Sequence, residues 1–194
     1  MSPPGHRATP PPRTVNIRWN WLPAALLLAC STLHAEDAAV KFDGANYELA
    51  AVTVATDGAT TNEYVKEGES IDKWTTRLTV RLTPSATTIN AAINPWLQSI
   101  RGQLTRKWEA SRTPNARSDA DVIVETWRMA AAPGMVEASL NRFVAESGTD
   151  GIKTYVFTEQ MKSDDAEAAQ EFHRKSFVRS EALAELAVPV KREK

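Results

Sequence analysis

Residues 62–82 read N-E-Y-V-K-E-G-E-S-I-D-K-W-T-T-R-L-T-V-R-L, and the architecture can be built outward from them. Tyr64 and Val65 are strand formers, and Gly68 relaxes the backbone where the chain must turn. Ser70 followed by Asp72 predicts a short helical turn: the hydroxyl accepts from an orphan backbone N–H, and the acid suits the positive helix end. Trp74 then serves as a large apolar anchor in the core. Thr76, Leu78, Val80 and Leu82 alternate with Thr75, Arg77, Thr79 and Arg81, the period of a strand with one buried and one wet face. On this reading Arg77 faces water. Glu63, Glu67, Glu69 and Asp72 form a local acidic group, either a site for a cation or basic partner or, as charge runs usually are, a solvated turn.

Toward the N-terminus, Tyr47 to Thr56 is a first strand whose alternation slips at Ala50-Ala51, which predicts a bulge. Asp57-Gly58 is a turn, and Thr60 to Lys66 is a second strand. Glu36 to Asp43 reads as a polar lead-in. Toward the C-terminus, Pro84 closes the third strand. Ile89, Ile93, Leu97, Ile100, Leu104 and Trp108 share one face of a helix expected over residues 87–110. Pro95 either kinks that helix or opens a second one capped by Asn94. Asp121 to Met129 is a fourth strand, and Val136 to Glu146 pairs with Ile152 to Met161 as a hairpin. Asp164 caps a last helix reaching Ala187, in which Phe177 and Val178 fall off the apolar face, so either the helix breaks near Ser176–Ser180 or Phe177 reaches a second surface. The expected order is βββαβββα: a single α+β domain over residues 36–190, with about six mostly antiparallel strands packed against two helices and a frayed 191–194 tail. Trp74, Trp108 and Trp127 are its expected structural anchors.

The N-terminus reads as an address. Trp19 to Leu33 is an apolar run preceded by Arg13 and Arg18 and followed by Ala35, the layout of a secretory signal peptide over residues 1–35. Cleavage between Ala35 and Glu36 yields a periplasmic or secreted domain. Leu27-Leu28-Ala29-Cys30 instead resembles a lipobox, with Cys30 lipidated and the protein tethered as an outer-membrane lipoprotein. Residues 1–14 are proline-rich, and a start at Val15 gives a more ordinary signal.

The chain has 194 residues and a formal net charge of −1. No basic face is implied, so nucleic acid is not an expected partner. Cys30 is the single cysteine, which leaves the mature domain without a disulfide or thiol nucleophile. His173 is the lone histidine beyond the leader and reads as a surface or structural residue rather than a catalytic one. No zinc spacing, nucleophile elbow, phosphate loop or dinucleotide fingerprint is present, and no metal or cofactor is implied. Asp119-Ala120-Asp121 and Asp164-Asp165 read as a strand entry and a helix cap rather than calcium ligands.

The box E-Y-V-x-x-G-E-S-x-x-x-W-T-x-x-L-T-V, Glu63 to Val80, resembles a pattern in secreted bacterial proteins of unassigned function. The element order resembles the α/β sandwich of the photosystem PsbP and nuclear-transport Mog1 family. These resemblances imply a fold and bring no catalytic residues with them. The expectation is an exported, non-enzymatic envelope protein that binds another envelope protein or a small ligand, and that meets a membrane only if Cys30 is lipidated. The alternatives are a periplasmic hydrolase built on Glu67, Glu69, Asp72 or Asp121, and a lipid-anchored scaffold.

Overall fold

Alternation along residues 76–83 forms the strand at the middle of the molecule. The computed structural model describes residues 39–107, 109–114, 121–145 and 150–191. Its strands are β1 (Val40–Phe42), β2 (Ala45–Val54), β3 (Thr60–Lys66), β4 (Thr76–Thr83), β5 (Glu109–Arg112), β6 (Asp121–Met129), β7 (Met135–Val144) and β8 (Ile152–Lys162). The helices are α1 (Ile89–Ile100), followed by a 3-10 turn (Arg101–Gln103), and α2 (Ala166–Glu185). All eight strands form one antiparallel sheet in the order β1-β2-β3-β4-β8-β7-β6-β5. Each half of the chain is thus a four-stranded meander ending in a helix. The halves meet where β4 pairs with β8, with Leu78 opposite Phe157 and Val80 opposite Tyr155.

The expected six-strand order is therefore corrected to ββββαββββα, still an α+β fold. β1 lies in the supposed lead-in and is only three residues long. β5, E-A-S-R, falls where the helix was expected to continue. It is exposed throughout and has no apolar period of its own, so pairing with β6 makes it a strand. Helix α1 stops at Ile100, and Leu104 continues the apolar series by bridging to Arg128 of β6. The slip in β2 is a register shift between Leu49 and Ala51.

The two helices cover opposite faces of the sheet. On β6, Ile123 and Trp127 join the core beneath α2 with Leu78, Phe157, Phe172 and Leu183. Their neighbour Val124 points the other way, into a smaller core beneath α1 with Ile93, Phe143 and Ile152. Successive strand residues alternate faces, so both cores follow from one sequence period.

Several local expectations are also corrected. Ser70 caps no helix: it exchanges backbone hydrogen bonds with Lys73 across a tight turn. Trp74 is only half-buried and belongs to neither core; the Arg77 guanidinium sits 4.4 Å over its ring. Arg77 is itself largely covered. Asp165, rather than Asp164, caps α2 by accepting from the N–H of Ala168 at 2.9 Å. The helix runs unbroken through Phe177 and Val178, which are both exposed. The tail is held as far as Lys191: the buried Asn62 side chain donates to its carbonyl at 3.0 Å and accepts from its N–H at 2.7 Å. Trp127 is buried edge-on against Phe172. Trp108, Cys30, Ala35, Glu36 and residues 192–194 lie outside the described residues. No helix among the described residues is long and apolar enough to cross a membrane.

Candidate functional site: a polar groove beneath α1

The Thr88 hydroxyl starts α1 by accepting from the N–H of Ala91 at 3.2 Å. The helix continues through Pro95, which has no N–H to give to the Ala91 carbonyl. Ile93 and Ile100 are buried, and Trp96 meets Phe143 of β7 at 5.3 Å between ring centroids. These apolar contacts seat α1 over β6 and β7. The same face of β8, β4 and β3 extends beyond the helix. What lies between is a groove of about 490 Å³.

Its floor is polar. Ser139 and Thr158 share a hydrogen bond of 3.0 Å across the β7–β8 pair. Asn141 Nδ2 donates to the Val124 carbonyl at 2.9 Å and to the Thr126 hydroxyl at 3.2 Å. Ser139, Asn141, Thr126 and Thr158 are all buried. Each therefore needs these partners, since an unpaired buried polar group costs roughly 1–3 kcal/mol. Ala92, Pro95 and Trp96 of α1 supply an apolar wall opposite.

Three arginines line the groove. Arg77 Nη1 donates to Glu63 Oε1 at 2.7 Å. Arg128 Nη2 donates to Glu137 Oε2 at 2.5 Å, while Gln160 holds the other oxygen of Glu137 at 3.1 Å. Arg81 is exposed and makes no ion pair among the described residues. The lining acids are Asp57 and Glu63. Asp57 Oδ1 accepts from the N–H of Ala59 at 3.0 Å.

The carboxylates singled out from the sequence are not brought together here. Glu69 accepts from the Thr75 N–H at 3.0 Å and the Thr75 hydroxyl at 2.5 Å, which ties down the β3–β4 turn. Glu67 accepts from Asn46 Nδ2 at 3.1 Å, and Asp72 is exposed on the same turn. Asp121 is buried on β6, separated from β4 by β8 and β7, and is held by Arg142 at 3.0 and 2.8 Å. None of the four lines the groove. His173 is exposed on α2. No cluster of three metal-ligating side chains occurs among the described residues.

The residues that do line the groove are those read as the wet face of the third strand, Thr79 and Arg81, together with Thr154, Thr158 and Ser139. Their signal in the sequence is the polar half of each alternation. Which polar halves end up beneath a helix depends on the β4–β8 pairing, which joins residues far apart in the chain.

A family model matches residues 35–117, less than half of the 194-residue chain, and its description names no activity. No curated protein matches the chain, and no solved structure matches it either.

Proposed function

We propose that this chain is an exported envelope protein that acts by binding, and that its ligand occupies the groove between α1 and the sheet. The observation that carries this reading is the construction of the floor. Buried hydroxyls and an amide are arranged under a gap rather than under packed side chains. Concave sites that pair an apolar wall with a few placed polar groups are the usual form of small-molecule sites. Export is supported by the signal-like residues 1–35 and by the likeness of the Glu63–Val80 box to secreted bacterial proteins. Binding is favoured over hydrolysis because each proposed acid lies outside the groove and three of them have structural partners: Glu67 with Asn46, Glu69 with Thr75, and Asp121 with Arg142.

A thermal-shift screen of small metabolites against the mature chain and a Thr79→Trp variant tests the reading. Thr79 lies on β4 in the groove, so an indole there fills the space. The expected outcome is a ligand that raises Tm of the mature chain and leaves the variant unmoved. Ligands that stabilise both equally would place binding elsewhere and end this assignment.

A further inference from the structure

The surroundings of Arg81 indicate the class of ligand, an inference that rests on the groove being the binding site. On β4, Arg81 lies opposite Thr61 of β3 and opposite Thr154 of β8. Thr79 and Thr83 are its same-face neighbours two residues to either side. All four threonines line the groove, and none of their hydroxyls makes a hydrogen bond among the described residues. Directly opposed side chains stand about 5 Å apart, and same-face neighbours along a strand about 7 Å apart. The four threonines therefore surround the foot of the Arg81 side chain on one face of the sheet. The other two lining arginines are neutralised, Arg77 by Glu63 and Arg128 by Glu137. Asp57 is engaged by the backbone at Ala59.

We propose that the groove takes a small amphipathic oxyanion. Its carboxylate or phosphate pairs with Arg81 inside the threonine cross, and its apolar body lies against Pro95 and Trp96. A guanidinium offers a planar fork of donors matched to such groups, and each hydroxyl adds one more donor. Charge-assisted bonds of this kind are the strong ones.

The test is a ¹⁵N NMR titration of the mature chain with 1-naphthyl phosphate, 1-naphthoate and the neutral 1-naphthalenemethanol. Both anions are expected to shift the amides of Thr61, Arg81 and Thr154 and to bind about tenfold more tightly than the alcohol, the factor expected of one charge-assisted contact. Arg81→Gln, at an exposed position, should remove that factor, so that the two anions and the alcohol bind with similar affinity. Equal binding of all three compounds in the groove would overturn the oxyanion assignment and leave the groove reading intact. Shifts confined to residues outside the groove would overturn both. Co-sedimentation with phosphatidylglycerol vesicles, lost in Arg81→Gln, would identify the oxyanion as a lipid headgroup; absence of co-sedimentation beside a positive titration would identify it as part of a soluble molecule.

Discussion

Two buried arginines hold α2 to the sheet. Arg142 forms a fork with Asp121 and donates to the Leu183 carbonyl at 3.0 Å, near the end of the helix. Arg179 reaches Asp43 and Glu159, each at 2.8 Å, with its guanidinium 4.7 Å over Phe157. The Arg142–Asp121 pair is almost wholly out of water, so removing one partner strands a charge. Asp121→Ala should cost about 3–5 kcal/mol in urea unfolding, whereas the Asp121→Leu/Arg142→Leu double variant should cost less. Tyr47 is the other residue with a distinctive environment. Burial raises its pKa above the ordinary 10.0, while the hydrogen bond it shares with Thr76 at 2.9 Å acts in the opposite sense, because the Thr76 hydroxyl can turn to donate to the phenolate. The folded chain keeps this proton where the unfolded chain releases it. Its contribution to stability is therefore complete below pH 10.0 and lost as the pH rises through the folded pKa. Tyr47→Phe should cost about 1 kcal/mol at neutral pH through the lost hydrogen bond. It should also flatten the alkaline fall in Tm measured by circular dichroism.

Among the elements, the tryptophans separate anchor from ornament. Trp127→Ala should lower stability by about 3–5 kcal/mol, because the indole is buried against Phe172. Trp74→Ala should cost clearly less, since that ring is half-buried and stacks mainly on Arg77; equal losses in chemical denaturation would contradict the two-core description. The contrast also shows how far the chain could be read beforehand. β3, β4 and β6 were legible because their own residues alternate, and the β7–β8 hairpin because glycine and polar residues punctuate it. β1 and β5 were not, because short edge strands take their conformation from a partner rather than from their own apolar content. Trp74 misled because a large apolar residue beside a strand looks the same in sequence whether it points into the core or along an edge. Arg77 and Arg81 looked merely wet because nothing local reports that α1, seated over β6 and β7, walls a groove along that face. Asn62 shows the same gap: its two-point grip on Lys191 links residues 129 positions apart. Asn62→Ala should free the C-terminal segment, which amide hydrogen exchange at Lys191 would show as lost protection.

At the scale of the molecule, the two meanders make a continuous sheet whose faces differ. α2 and the tail close one face with a large apolar core, and α1 covers the other only in part. The partial cover is what makes a groove, and Arg81, which has no ion pair among the described residues, stands in it among threonines. The proposed state of the protein is an exported chain carrying a ligand in that groove. Native mass spectrometry of the protein recovered from its host's envelope fraction tests both parts in one spectrum. The expected spectrum shows a chain beginning at Glu36, or at a lipidated Cys30, with a small bound mass that is absent from the Thr79→Trp variant. A chain retaining residues 1–35, or a bound mass carried equally by the variant, would contradict it.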